Sequence, residues 1–423
     1  MKTVGLVTEY NPFHNGHLHH LRESLRLAEA DVSVAVMSGH FLQRGEPALV
    51  DKWVRAEMAL TAGVDVVIEL PLPWAAASAP DFAMGAVQAL NALGGVDSLC
   101  FGSETGNLEP LQACARVLLQ QEDEIVTRTS RLLRQGLNYP QARARVLEKL
   151  FPERTDNKVL SAPNNVLGCE YLKALAATGS DLEPLTIQRV GAGYQDTCVG
   201  AGQIASATGI RHRLERTENI EGLLPSEPFG ILRTALEERR FLTKDSYFPL
   251  ILSKIFSDSG CLDQYWLVED GVENRLLSVA DTAETLDELI TGVKTRQLTR
   301  TRIQRMLVAI LLSMGKKTIP GLLAVGPRYL HLLAVSRKGQ SFLARRRQQR
   351  TLPLVQNFSR VYALLKRHYD ASSPGYHQAI QQLNLELRAT RVYTLLQHEK
   401  PGGNRNRDFY QPLIRGKAIE EGH

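Results

Sequence analysis

Four of the eleven histidines, His14, His17, His19 and His20, fall within seven residues of one another. The centre of that stretch is His14-Asn15-Gly16-His17, an HxGH motif that follows a strand-like run and opens a helical pattern. Gly16 has no side chain to hold a phosphate away from the backbone. A helix beginning near Asn15 offers N–H groups and the positive end of its dipole to an anion. The two imidazoles of the motif can donate to phosphate oxygens and stabilise charge as an α-phosphorus is attacked. A second stretch, Ser206-Ala207-Thr208-Gly209-Ile210-Arg211, follows a later strand. Ser206 and Thr208 suit a helix start and a phosphate alike, and Arg211 suits bidentate contact with phosphate oxygens. Taken singly, each stretch has a plainer meaning: a capping loop with surface histidines, or an ordinary helix start. His14, His17, His19 and His20 with Glu9 or Glu23 also make a set of metal donors. No cysteine lies near them, and no protein-held metal is expected. Nucleotide phosphate binding uses both stretches at once, and no Walker A or GxGxxG pattern competes for that role.

Such residues need a scaffold. Lys2–Thr8, Val32–Met37, Val64–Leu70, Asp97–Phe101 and Leu185–Val190 read as five strands. Helical patterns lie between them at Asp51–Ala62, Pro80–Leu93, Glu109–Leu150 and Asn165–Ala177. The alternation predicts an α/β fold, a doubly wound, parallel, five-stranded Rossmann-like core that binds ligands at the carboxyl ends of its strands. Gln43–Pro47 then reads as a substrate-closing loop or a plain polar one. Lys52 and Arg55 read as phosphate or RNA contacts, or as a solvated helix face. Glu104 reads as a ligand for magnesium or ribose, or as a helix cap. Past about residue 212 the pattern turns mainly helical, with one short strand at His331–Ser336 and an irregular tail from Pro401. The expected organisation is a catalytic region over 1–212, a helical linker over 213–290 and a basic, mainly helical region over 291–423.

Charge supports that division. The chain has 423 residues, more than one core normally organises, and a formal charge of +5. Residues 1–290 carry 26 Lys and Arg against 39 Asp and Glu, whereas residues 291–423 carry 24 against 6. From Thr291 to Tyr369 there are 17 basic residues and no acid. Such a block predicts a polyanionic partner, with Lys316, Lys317, Arg345, Arg346, Arg347 and Arg350 the densest candidates for phosphate contacts. No run of about 18 apolar residues and no signal-peptide pattern occurs, so no membrane partner is expected. Five scattered cysteines without a CxxC pair argue against a disulfide scaffold or thiolate zinc and fit a reducing, cytoplasmic setting.

The HxGH stretch after strand one and Ser206–Arg211 after strand five resemble the two signatures of the nucleotidyltransferase superfamily. Where that superfamily reads SSTxxR, this chain has Ala207 in second place. EYNPFHNGH at 9–17, MSGHFLQRGEPALVDKW at 37–53, GVDVVIELP at 63–71, FGSE at 101–104, PNNVLG at 163–168, GAGYQD at 191–196 and SATGIR at 206–211 together resemble the tRNA(Met) cytidine acetate ligase family. The resemblance is dense over about 210 residues and looser beyond. It implies an enzyme that forms acetyl-adenylate from acetate and ATP, with Mg2+ accompanying the ATP. The acetyl group would pass to N4 of the wobble cytidine of elongator tRNA(Met), and no protein partner is implied. It further implies ATP contacts along Val7, Thr8, Glu9, Tyr10, Asn11, Pro12, Phe13, His14, Asn15, Gly16, His17, Leu18, His19 and His20. Gly102, Asn164 or Asn165, and Arg189 complete that set. His14, His17 and Arg211 are the catalytic candidates, and Ser206 and Thr208 further ATP contacts. Two alternatives stand beside this reading. A small-molecule nucleotidyltransferase has no need of the basic region, and a non-catalytic nucleotide-dependent RNA-binding protein has no need of intact phosphate motifs.

Overall fold

The computed structural model describes residues 1–137, 139–150, 159–189, 205–243, 245–397 and 404–416. Its centre is a parallel sheet of β1 (Thr3–Thr8), β2 (Val32–Ser38), β3 (Val66–Leu70), β4 (Ser98–Ser103) and β5 (Glu183–Gln188). The strand order β5-β4-β1-β2-β3 is that of a doubly wound α/β core, as the sequence pattern predicts. β2 is buried along its whole length, which explains its unbroken apolar run. Val34, Val36, Ile68 and Leu99 face one helical layer, while Val4, Leu6, Ala35 and Met37 face the other. β5 is more exposed and begins two residues before the sequence suggested. Cys100, Cys114 and Cys169 are buried thiols, and Cys198 lies outside the described residues.

The C-terminal part is not merely helical. β6 (Leu330–Val335) adds antiparallel to β3, and β7 (Leu354–Val355) and β8 (Ile414–Arg415) both pair with β6. The tail beyond Pro401 reads as irregular in sequence. Its described residues instead form the helix Arg407–Tyr410 and the strand β8. They place Asp408, almost fully buried, against the Lys52 ammonium at 2.7 Å.

That contact revises the reading of the helix Lys52–Thr61. Asp51 caps it as expected, accepting from the N–H groups of Trp53 and Val54. Lys52 and Arg55, however, are fully buried and face neither phosphate nor solvent. Lys52 Nζ also meets both oxygens of Glu69, at 2.7 and 3.0 Å, and Glu69 meets His331 Nδ1 at 2.7 Å. Burial opposes the Lys52 charge, but Asp408 and Glu69 outweigh it and hold its pKa above the ordinary range. Arg55 donates to the carbonyls of Glu9 at 2.6 Å, Ser38 at 3.0 Å and Val50 at 3.1 Å, and also to that of Gly39. It thereby ties together the carboxyl ends of β1 and β2, where the HxGH loop begins.

Candidate active site

A cleft of about 280 Å3 opens at the carboxyl ends of β1, β4 and β5. β1 delivers the chain into a loop pinned by two buried rings, Tyr10 and Phe13, whose centroids lie 4.7 Å apart. His14 then caps the helix Asn15–Leu27. Its Nδ1 accepts from Gly16 N–H at 3.0 Å, while His17 Nδ1 accepts from His14 N–H at 3.3 Å. An accepting Nδ1 leaves the proton of a neutral imidazole on Nε2, so the hydrogen-bond network assigns both rings the Nε2–H tautomer. Burial is the main reason that His14 is lowered to about 3, with Arg189 and Arg211 adding to it. Burial and then His14 hold His17 well below the ordinary histidine value, and burial and then Arg189 lower His20 to about 4. The site therefore presents neutral Nε2–H donors rather than imidazolium cations.

One expectation about this helix changes. Its first N–H groups are already bonded, Asn15 N–H to Leu223 O at 3.1 Å and Gly16 N–H to His14 Nδ1. The imidazoles, more than the amides of this turn, are what it offers an anion. The helix Ala207–Glu215 carries the second motif, with Ser206 as its cap accepting from Gly209 N–H at 3.1 Å. Its Ala207 and Thr208 residues line the cleft. Arg211 connects the two motifs: Nη1 donates to Asn11 O at 2.8 Å, and Nη2 meets Glu46 Oε1 at 3.3 Å.

The β4 and β5 ends form the opposite wall. Glu104 accepts from Asn164 N–H, Asn164 Nδ2 and Asn165 N–H at 3.1, 2.6 and 2.7 Å. Asn165 Oδ1 returns two bonds, accepting from the N–H groups of Glu104 at 2.9 Å and Thr105 at 3.2 Å. Glu104 thus satisfies two of the first N–H groups of the helix Pro163–Thr178 from outside it, the N-cap position itself being Ala162. Arg189 Nη1 donates to Asn164 Oδ1 at 3.3 Å, and a Cβ on Gly102 would stand 3.2 Å from Arg189 Cγ. A bare backbone at Gly102 keeps that corner open.

Not every candidate faces the cleft. Val7, Thr8, Glu9, Tyr10, Asn11, His14, Gly16, His17, His19, His20, Gly102, Asn164, Arg189, Ser206, Thr208 and Arg211 line it. Pro12, Phe13, Asn15, Leu18 and Asn165 do not. Phe13 is core, Asn15 Nδ2 holds Gly222 O at 2.7 Å, and Asn165 supports the Glu104 turn. GAGYQD at 191–196 lies outside the described residues. Phe82, Phe101, Leu167, Tyr171 and Ile187 supply an apolar wall; Phe101 and Leu167 lie in the FGSE and PNNVLG stretches, but neither stretch marks them as wall residues. Gln43, Arg44 and Glu46 line the cleft from the loop after β2. Gly45, at φ +75°, leaves no room for a Cβ against the backbone of Gln304 and Arg305, and Arg305 Nε donates to Gln43 O at 2.6 Å. The basic region thus supports the cleft from behind. Burial raises the Glu9 carboxyl above its ordinary value, against the Gln43 N–H that it accepts at 2.8 Å.

The six basic candidates lie elsewhere. Ser336, which starts the helix Arg337–Arg345, bonds Asp65 at the amino end of β3 at 2.6 Å. Arg346 and Gln349 pack over Gly95 and Gly94, just before β4. Arg345–Arg350 therefore occupies the amino edge of the sheet, about 20 Å of strand away from the HxGH loop. Arg345 and Arg347 are exposed there. Arg350 donates to Leu343 O at 3.1 Å, and Lys316 Nζ donates to Val268 O at 3.0 Å, so both serve the fold as well. Lys317 is exposed.

A family model described as HIGH Nucleotidyl Transferase matches residues 1–408. A protein of Syntrophotalea carbinolica named tRNA(Met) cytidine acetate ligase is 52% identical over 99% of this chain and 100% of its own length. One of Acetivibrio thermocellus with the same name is 37% identical over 98% and 100%. The crystal structure of Thermotoga maritima TmcAL bound with alpha-thio ATP superposes with a TM-score of 0.89 at 33% identity, covering 98% of this chain and 99% of that one.

Proposed function

Because the chain belongs to the tRNA(Met) cytidine acetate ligase family, we propose that its cleft adenylates acetate and that the acetyl group then passes to N4 of the wobble cytidine of elongator tRNA(Met). The observation that carries this reading is the bond from Arg211 Nη1 to Asn11 O at 2.8 Å. It unites both phosphate motifs on one side of a cleft at the ligand edge of the sheet.

Acetate is ionised at pH 7, because carboxylates titrate near pH 4. It needs no general base, only placement in line with the α-phosphorus. An acetate oxygen forms a bond to that phosphorus, and pyrophosphate leaves. His14 and His17 donate through Nε2–H to the oxygens that gain charge, and Arg211 supplies a fixed cation beside them. Glu9 and Glu46 in the cleft are oxygen donors of the kind that Mg2+ takes, although Arg211 already shares Glu46. Such an ion, arriving with ATP, would neutralise phosphate charge. The apolar wall of Phe82, Phe101, Leu167 and Tyr171 suits an adenine face or an acetyl methyl. In the second step the cytidine amine bonds to the acetyl carbon, the carbon–oxygen bond to AMP breaks, and the amine loses a proton. Only an unstacked loop base can bring its amine into such a cleft.

The catalytic set is His14, His17 and Arg211, with the lining residues around them holding ATP. The basic region, chiefly Lys317, Arg345 and Arg347, adds backbone contacts at a distance from the chemistry. No helix among the described residues is long and apolar enough to cross a membrane, and a cytoplasmic site of action fits a tRNA substrate.

The test is ATP–pyrophosphate exchange driven by acetate without tRNA, followed by mass spectrometry of tRNA(Met) for N4-acetylcytidine. Exchange driven only by a phosphorylated metabolite would favour a small-molecule nucleotidyltransferase instead.

A further inference from the structure

A base inserted into the cleft brings its flanking nucleotides to the mouth, so RNA phosphates must be met at the carboxyl edge of the sheet. The densest basic run, Arg345–Arg350, sits at the other edge. Residues 125–147 break the acidic character of the first 290 residues: they hold five arginines and no acid. They cover most of the helices Glu122–Arg134 and Tyr139–Leu150. The acid-free stretch of the basic region begins at Thr291, and the two runs meet where Gln297 Nε2 donates to Leu133 O at 3.2 Å. The helix Arg300–Leu311 continues from that contact, and its Arg305 holds Gln43 O in the loop whose Arg44 lines the cleft.

We infer that the helix Glu122–Arg134 and the loop before Arg300 form an RNA-docking surface that receives the phosphates flanking the target base, chiefly through Arg131, Arg134, Lys294 and Arg296. This rests on the tRNA reading above. All four side chains are exposed and have no acidic partner among the described residues. Their neighbours are already paired: Arg128 with Glu124, Arg300 with Asp287 and Arg302 with Glu269. Arg131 shares a shallow surface hollow with Asp123 and Glu124, of which Glu124 is paired with Arg128. Basic groups held in no ion pair are those free to displace counterions from RNA. The surface joins a helix of the N-terminal half to a loop of the basic region, so it becomes contiguous only on folding.

The test is the full chain carrying Arg131→Glu, Arg134→Glu and Arg296→Glu. Acetate-dependent exchange without RNA should stay within about twofold of wild type. The KM for tRNA in acetyl transfer should rise about tenfold or more, and the salt dependence of binding should flatten by about 0.7 to 0.9 per lost contact. Normal exchange with unchanged KM and unchanged salt slope overturns the surface. If wild type exchanges but acetylates no tRNA, the underlying reading falls and the surface with it. Should charge reversal also lower exchange, the milder Arg131→Gln/Arg296→Gln variant is judged by the same KM and salt criteria.

Discussion

His17 Nδ1 accepts the backbone N–H of His14 at 3.3 Å, and the two rings lie 3.8 Å apart between centroids. With His14 Nδ1 held by Gly16 N–H, neither ring can turn its basic nitrogen toward the cleft without breaking the helix cap. The HxGH motif thus does two jobs with one pair of side chains: Nδ1 builds the helix terminus, and Nε2–H remains for the phosphate.

His14→Asn separates those jobs. Asparagine is a good cap, so helix and fold should persist. The Nε2–H donor is gone, so acetate-dependent exchange should fall about 10²–10³-fold. Thermal denaturation and exchange assays on the same preparation check it. Normal exchange in a folded His14→Asn protein would remove His14 from the chemistry.

Acid should destabilise the protein earlier than its carboxylates alone would cause. His14 and His20 have folded pKa values lowered to about 3 and about 4, below the unfolded value near 6.5. The unfolded chain then binds more protons below that pH. Stability is intact above pH 6.5 and falls as pH drops toward 3, by up to about 1.4 kcal/mol per unit for each such histidine. Urea denaturation from pH 8 to pH 4 should show that slope, and His14→Asn should make it shallower. Equal slopes in both proteins would contradict the burial of a neutral His14.

Lys52→Met should destabilise the fold by about 3–5 kcal/mol, because it leaves Asp408 a buried carboxylate without its counter-ion and Glu69 dependent on its bond with His331. Adding Asp408→Leu should recover part of that loss. Equilibrium denaturation of both variants measures it, and a loss under about 1 kcal/mol in Lys52→Met would mean that solvent reaches the pair.

The contrast between these sites shows what was legible in the sequence. HxGH and SATGIR could be read because their chemistry is local: cap, glycine and donors lie within a few residues. The five parallel strands were legible because burial on both faces leaves unbroken apolar runs. Lys52 could not be read, because a lysine in the first turn of a helix looks solvated and its partner Asp408 is 356 residues away. The apolar wall was hidden because Phe82, Phe101 and Tyr171 come from separate elements and are individually ordinary core residues. Charge counting found the basic region, but the edge of the sheet that it occupies follows from the antiparallel pairing of β6 with β3. The Arg131–Arg134 run was diluted by the acids of the half in which it sits.

The most direct test of the central claim, attack of acetate on the α-phosphorus of ATP, is the fate of labelled oxygen. Acetate carrying 18O in its carboxylate is turned over with ATP and tRNA(Met), and the phosphate products are analysed by mass spectrometry. One 18O per acetyl transferred should appear in AMP, with none in inorganic phosphate or pyrophosphate, and His17→Ala should lose the labelled AMP. Label in inorganic phosphate, with ADP as the nucleotide product, would place the attack at the γ-phosphorus and contradict the account.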